Sequence, residues 1–206
     1  MSPWSLCVAG GCVPESVDTF VFDVMLSVVY NHFMPTTRIL IAVILGFFSL
    51  SVVAGPELGQ PAPGFSMPDQ YMKTHSLEQY LGKWVVVYFY PRDDTPGCTT
   101  EACNFRDDIF KLRAMNAEVL GVSLDSTESH ARFAEKYGLP FPLLSDAAGE
   151  TAEQYGCLTD WKGTKIAARH TFIIDPGGNI AKIYRKVDPE THSAQVIADL
   201  TSLQAD

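Results

Sequence analysis

The chain has 206 residues, of which 47% are hydrophobic and 19% are charged, a composition typical of globular proteins that excludes a wholly disordered chain. Its formal net charge of −9 argues against a nucleic-acid partner, because sequence-independent contacts with phosphates need clustered Lys and Arg side chains. The length is that of one domain with an appendage.

Residues 1–33 fit neither a targeting signal nor a folded domain, because they contain three acidic residues and no Lys or Arg. We interpret them as an upstream extension that was assigned in error, with translation starting at Met34. The alternative is a short apolar segment that contacts lipid.

Residues 34–54 have the parts of a secretory signal peptide. Arg38 supplies a positive charge, residues 39–54 form an apolar run, and small residues close it before a cleavage position at Gly55. We therefore predict export, with the periplasm as the destination. If it were not cleaved, the segment would anchor the protein in the membrane, facing the periplasm. A transit-type signal would instead direct it to a plastid lumen.

Residues 55–206 alternate between strand and helix patterns. The predicted strands are WVVVYFY (84–90), AEVLGVSLD (117–125), LPFPLLSD (139–146) and a hairpin in RHTFIIDPGGNIAKIYR (169–185). The predicted helices are CTTEACNFRDDIFKLRAM (98–115), STESHARFAEKYG (126–138), AGETAEQYG (148–156) and PETHSAQVIADLTSLQ (189–204). This order predicts an α/β fold with a central sheet, parallel at its centre, between helices.

Cys98 follows the first buried strand, at the edge of the sheet where such folds place reactive groups. Thr95 and Pro96 have the residue types of a helix N-cap and first helical residue. Cys98 would then lie at the positive end of a helix, which favours a thiolate. Because Asp93 and Asp94 oppose a thiolate, a nearby cation would be a useful partner.

Cys103 follows Cys98 by five residues on the same predicted helix, which separates the two by roughly 7.5 Å of rise and about 140° of rotation. A disulfide needs Cα atoms about 4.4–6.8 Å apart, so an intact helix prevents a bridge. The spacing indicates either a redox switch that requires unwinding or two unrelated buried helix cysteines. It does not by itself distinguish them.

Pro91, Thr95 and Cys98 match the Pro-x-x-x-Thr-x-x-Cys motif, and the segment resembles the active site of the peroxiredoxins, which are thiol-dependent peroxidases with a thioredoxin-like fold. A second Cys five residues on is typical of the bacterioferritin comigratory protein, or peroxiredoxin Q, subfamily. The resemblance extends through GVSLDSTESHARFAEKYGLPFPLLSD and RHTFIIDPGGNI, nearly the whole of 55–206.

The resemblance implies a mechanism in which Cys98 is the peroxidatic cysteine and is oxidised by a hydroperoxide to a sulfenic acid. Cys103 would be the resolving cysteine that forms an intramolecular disulfide with it. Thioredoxin or a thioredoxin-like donor would then reduce that disulfide. The resemblance further implies that the protein needs no metal or organic cofactor and is a monomer.

The resemblance also implies roles for four other side chains. Thr95 would contact the thiolate and the peroxide, beyond serving as an N-cap. Pro91 would shield the cysteine from water, beyond ending a strand. Arg169, which is otherwise an ordinary solvated or paired side chain, would supply the missing cation. Glu101 would orient Arg169, beyond complementing the helix dipole.

Cys157 has no partner in this scheme, and is either a buried small hydrophobe or a handle for an intermolecular contact. The histidines show no zinc-type spacing, so no metal site is expected. The main hypothesis is an exported peroxidase for hydrogen peroxide and organic hydroperoxides. The alternatives are an exported thiol–disulfide oxidoreductase without peroxidase activity and a non-catalytic module with a fixed disulfide.

Overall fold

The computed structural model describes residues 55–205, so the predictions for residues 1–33 and 34–54 lie outside the described residues. The strands are β1 Ser66–Pro68, β2 Thr74–Ser76, β3 Trp84–Phe89, β4 Ala117–Ser123, β5 Leu143–Ser145, β6 Leu158–Trp161, β7 Thr164–Ala167, β8 Thr171–Ile174 and β9 Ile180–Tyr184. The helices are α1 Pro96–Asp107, α2 Ile109–Ala114, α3 Thr127–Tyr137, α4 Glu150–Gln154 and α5 His192–Leu203, with a 3₁₀ turn at Leu77–Tyr80.

A five-stranded sheet in the order β5-β4-β3-β8-β9 forms the centre of the domain. Strands β3, β4 and β5 run parallel, whereas β8 pairs antiparallel with the other side of β3, and β9 pairs antiparallel with β8. The prediction of a central mixed sheet between helices is confirmed. Strands β1 and β2 form a separate small sheet, as do β6 and β7.

Strand β3 is the middle of the sheet because both of its faces are apolar. Val86 and Tyr88 belong to the core on one face, where α1, α2, α3 and α5 pack. Val85, Val87 and Phe89 belong to a second core on the opposite face. Side chains alternate between faces along a strand, so a continuous apolar run is what a strand covered on both sides requires.

The termini of α3 follow the sequence pattern. The hydroxyl of Ser126 accepts a hydrogen bond from the backbone N–H of Ser129 at 3.3 Å, and Gly138 ends the helix in the left-handed region at φ +61°. Both are frequent helix-terminating arrangements. The N-cap and the helix end predicted from the sequence are confirmed.

The prediction of one continuous helix over residues 98–115 was wrong at Asp108. The backbone of Asp108 leaves helical values, with φ −95° and ψ 1°, and separates α1 from α2. Its carboxylate accepts hydrogen bonds from Ser193 of α5 at 2.8 Å and from Lys111 of α2 at 2.6 Å. Side-chain contacts of this kind compete with a regular helical backbone.

The β6–β7 hairpin was not predicted from the sequence. Its two-residue turn consists of Lys162 and Gly163, both with positive φ, at 53° and 82°. A turn with two positive φ values suits the twist of a hairpin, but it is usually signalled by Asn-Gly or Asp-Gly. No helix within residues 55–205 has the length and apolar character needed to cross a membrane.

Candidate active site

Cys98 is the third residue of α1 and lies just beyond the carboxyl end of the central strand β3. Thr95 occupies the N-cap position with an extended backbone, and Pro96 is the first helical residue. Pro suits this position because the first N–H groups of a helix have no partner within it. The Cys98 side chain is 1% exposed, so the thiol is enclosed by protein at the positive end of α1.

Arg169 brings a cation to this thiol. Its Nη2 atom donates a hydrogen bond to the Cys98 Sγ at 3.2 Å, although 71 residues separate the two in the chain. The register of the sheet explains the contact, since Thr171 of β8 pairs with Tyr88 of β3. Arg169 precedes Thr171 by two residues and therefore reaches the edge of the sheet from which α1 starts.

Glu101 lies one turn after Cys98 and is 1% exposed. Its Oε2 accepts a hydrogen bond from Nη1 of Arg169, whereas its buried Oε1 has no hydrogen-bond partner among residues 55–205. Burial raises the pKa of Glu101 to about 7, and the charge of Arg169 acts in the opposite direction. One guanidinium thus joins the carboxylate and the thiol of the same helix.

Arg169 remains a cation in this setting. Burial acts to lower its pKa, but the negative charges of Glu101 and Cys98 outweigh burial and raise it. A cation beside a thiol favours the thiolate. The pairing therefore supplies the positive charge that the sequence indicated would be useful.

Thr95 and Pro91 lie in the loop between β3 and α1. The Thr95 hydroxyl donates a hydrogen bond to the carbonyl of Arg92 at 3.1 Å. Among the described contacts it makes neither the side-chain N-cap bond nor a hydrogen bond to Cys98. Pro91 is half-buried, and both residues face a common groove. Their proposed roles stay predictions.

This groove has a volume of about 570 Å³ and is bounded on one side by the β6–β7 hairpin. Its lining residues are Pro91, Arg92, Thr95, Trp161, Thr164 and Ile166. Trp161 is 60% exposed, which is unusual for so large an apolar side chain. The three hairpin residues were missed by sequence reasoning, and the one available signal was a Trp beside a Lys-Gly turn.

Helix α3 holds the loop between β3 and α1 through two acidic residues. Buried Asp93 accepts a hydrogen bond from Tyr90 at 2.8 Å and contacts His130 at 2.9 Å. Exposed Asp94 has a positive φ of 55° and pairs with Lys136 at 2.7 Å. The sequence had indicated these carboxylates only as charges that oppose a thiolate, whereas the structure shows that both have partners on α3.

Cys103 is half-buried in the next turns of α1, which is continuous from Pro96 to Asp107. Cys98 and Cys103 are both free thiols. The described state is therefore the reduced protein with α1 folded, and a bridge between the two requires α1 to unwind.

Cys157 is a buried side chain rather than a reactive handle. It is 1% exposed, and its thiol donates a weak hydrogen bond to the carbonyl of Tyr155 at 3.6 Å. Burial raises the pKa of Cys157 to about 12, which leaves it protonated at neutral pH. Within residues 55–205, no group of three or more His, Cys, Asp or Glu side chains is placed to hold a metal ion.

Comparison with known proteins identifies a family and several relatives that this chain resembles. Residues 58–183 match the AhpC/TSA family. A peroxiredoxin bcp of Coxiella burnetii is 45% identical over 148 residues, which are 70% of this chain and 98% of the relative. A chloroplastic peroxiredoxin Q of Sedum lineare is 43% identical over 155 residues, 75% of this chain and 83% of the relative.

A solved structure agrees with both relatives. The bacterioferritin comigratory protein of Xanthomonas campestris, described in terms of its alkyl peroxide reduction activity, is similar with a TM-score of 0.63 and 32% identity. The match covers 68% of this chain and 91% of that protein. The thioredoxin-like fold expected from the sequence is confirmed. The chain therefore belongs to the AhpC/TSA family and is a peroxiredoxin, a thiol-dependent peroxidase, of the bcp and peroxiredoxin Q type.

Proposed function

We propose that this peroxiredoxin reduces hydrogen peroxide and organic hydroperoxides at Cys98. The thiolate attacks the terminal peroxide oxygen, the O–O bond breaks, and Cys98 becomes a sulfenic acid while water or an alcohol leaves. The observation that carries the proposal is the 3.2 Å hydrogen bond from Arg169 to the Cys98 sulfur, at the N-terminus of α1. It places a fixed cation where the nucleophile forms.

Arg169 acts twice in this scheme. Its charge favours the thiolate, and its N–H groups stabilise the negative charge that develops on the departing oxygen as the O–O bond breaks. Glu101 positions the guanidinium through the second nitrogen. Thr95 and Pro91 line the groove between the β3–α1 loop and the β6–β7 hairpin, and we assign Thr95 to the peroxide and Pro91 to the exclusion of water.

Resolution follows when Cys103 condenses with the sulfenic acid, which forms an intramolecular disulfide and releases water. This step requires α1 to unwind, because the two cysteines lie on one intact helix. The five-residue spacing thus separates peroxide reduction in the folded helix from disulfide formation in the unwound one.

The groove that Thr95 lines, three residues before Cys98, supports organic hydroperoxides as substrates. Pro91, Trp161 and Ile166 give it apolar walls next to Thr95, and apolar surface binds the carbon chain of a hydroperoxide by the hydrophobic effect. The related Xanthomonas campestris protein, with its alkyl peroxide reduction activity, points the same way.

Peroxiredoxins act on peroxides with thioredoxin-like reductants, and we propose both such a donor and a monomeric state for this enzyme. Export to the periplasm, predicted from residues 34–54, would require electrons to be delivered across the membrane, since that compartment is oxidising. Sequencing the amino terminus of the protein recovered from each cell fraction tests export. A mature chain beginning near Gly55 in the periplasmic fraction supports it, and a cytosolic chain that retains residues 34–54 contradicts it.

Single-turnover oxidation by hydrogen peroxide, followed by mass spectrometry, tests the cysteine roles. We expect rapid loss of the Cys98 thiol, a Cys98–Cys103 disulfide in the wild type, and a stable sulfenic acid in Cys103→Ser. Cys157→Ser is the matched control and should leave both products unchanged. If Cys98 reacts with peroxide no faster than a free thiol but still exchanges with dithiols, the result would favour the oxidoreductase alternative. The peroxiredoxin relatives do not favour that alternative.

A further inference from the structure

Helix α1 is fastened to the rest of the protein unevenly. Among the described side-chain hydrogen bonds, those from its first eight residues to other elements all go to Arg169. Its last four residues are held at two more places. The side-chain amide of Asn104 donates to the carbonyls of Pro189 and Glu190, each at 3.0 Å, and Arg106 donates to the carbonyl of Tyr137 at 2.7 Å.

The carbonyls that Asn104 binds belong to a turn that is ordered by itself. The Asp188 carboxylate accepts hydrogen bonds from the backbone N–H of Glu190 at 3.1 Å and from the hydroxyl of Thr191 at 3.2 Å. Both carbonyls are thus oriented toward Asn104 before it binds, so the two bonds form without the cost of ordering a loop.

The same turn also contacts α1 next to Cys98. The Pro189 ring lies 3.6 Å from the point that a Cβ would occupy at Gly97, the residue before Cys98. At its other contact the turn holds Asn104, the residue after Cys103. The segment 188–191 therefore spans the part of α1 that must unwind for the two sulfurs to meet.

We propose that Asn104 and the carbonyls of Pro189 and Glu190 form a latch that keeps Cys103 in the folded helix and slows its reaction with oxidised Cys98. The proposal rests on the proposed function, because it concerns the second step of that reaction. Asn104 is joined to Cys103 by a peptide bond, so unwinding that carries Cys103 toward Cys98 has to break the latch.

The latch decides between two fates of the Cys98 sulfenic acid. Condensation with the Cys103 thiol gives the disulfide and one water. Reaction with a second hydroperoxide instead transfers an oxygen, giving a sulfinic acid and one water or alcohol. Because the latch opposes only the condensation with Cys103, it raises the share of Cys98 that is lost to the sulfinic acid.

Asn104→Ala tests this directly. Loss of two hydrogen bonds should accelerate disulfide formation about tenfold and reduce sulfinic acid formation at high peroxide in proportion, while the first oxidation of Cys98 is unchanged. Ala favours helix more than Asn does, so helix propensity alone predicts slower unwinding. Thr100→Ala is the matched control and should not accelerate the reaction, since the one hydrogen bond that the Thr100 hydroxyl donates among the described contacts stays within α1, to the carbonyl of Pro96 at 3.0 Å.

Asp188→Ala tests the other side of the latch. It releases the turn without touching α1, and we expect a smaller acceleration that disappears in the Asn104→Ala background, because both changes break one interaction. Hydrogen exchange of the backbone amides of residues 99–103 in the reduced protein, without peroxide, should rise in parallel. This arm keeps the latch testable even if the wild type fails to react with peroxide, an outcome that would reject the proposed function alone.

The latch is overturned if Asn104→Ala leaves both the rate of disulfide formation and the exchange of residues 99–103 at wild-type values. An acceleration of equal size in Thr100→Ala would also overturn it, since that result would assign the effect to the helix itself.

Discussion

Replacement of His192 should remove a specific pH dependence of stability. His192 is fully buried at the start of α5, and its Nε2 contacts the Thr171 hydroxyl at 2.8 Å. Its other ring nitrogen, Nδ1, has no hydrogen-bond partner within the described residues. The ring packs edge-on against Phe105 of α1 and Tyr184 of β9. Burial lowers the pKa of His192 to about 4, because a charged ring would lose its hydration there.

The sign and the size of the effect follow from the two protonation equilibria. Between pH 6.5 and 4 the unfolded chain binds a proton at His192 that the folded protein does not, so stability falls as the pH falls. The full effect is about 3 kcal/mol, of which about 2 kcal/mol is reached at pH 5. Glu101 acts oppositely, since its raised pKa of about 7 increases stability as the pH falls from 7 to 4.5.

His192→Gln separates these contributions, because Gln retains a donor for Thr171 but does not titrate. Urea unfolding of the reduced protein at pH 8 and pH 5 gives the free energy of unfolding for both chains. From pH 8 to pH 5 the wild type should lose about 2 kcal/mol relative to the variant, whatever constant offset the substitution introduces. If the two chains show the same pH dependence, the folded protein protonates His192 as readily as the unfolded chain does, and burial does not lower its pKa.

Three further predictions concern the site and the core. Arg169→Lys should slow the reaction of Cys98 with hydrogen peroxide by about 10²–10³-fold, because one ammonium cannot bind the thiol and Glu101 through two separate nitrogens. Stopped-flow kinetics measures the rate, and a decrease in rate of less than about tenfold would contradict this. Iodoacetamide at pH 8 should label Cys157 only after unfolding, and rapid labelling of the native protein would contradict the burial of its thiol. Gly121→Ala should lower the free energy of unfolding by about 1–3 kcal/mol, because the added Cβ would lie 2.8 Å from the Tyr88 ring. Urea titration measures this change, and an unchanged midpoint of urea unfolding would show that this ring moves freely.

Features that depend on neighbouring residues were predictable from the sequence. The apolar run of β3, the Ser126 cap and Gly138 at the end of α3 all act within one strand or one helical turn. The same is true of the two cysteines on α1, whose separation follows from helix geometry alone. The motif around Cys98 then indicated the family, which the comparisons show.

The interruption of α1 at Asp108 illustrates where local reasoning failed. The apolar periodicity continues across the break, so the sequence pattern predicts a single helix. The bond from Ser193 reaches Asp108 from 85 residues away, and a pattern of local spacing contains no information about it. The partners of Asp93 and Asp94 on α3 were missed for the same reason.

The sequence by itself therefore predicted the main strands and helices of the central α/β layers and the family, and it singled out Cys98 as the candidate reactive cysteine, because these follow from short-range geometry and from a motif of adjacent residues. Only the tertiary structure decided that Arg169 joins Cys98 to Glu101, and that Asn104 meets the turn before α5. Such contacts depend on strand register and helix packing, which bring together side chains that are distant along the chain.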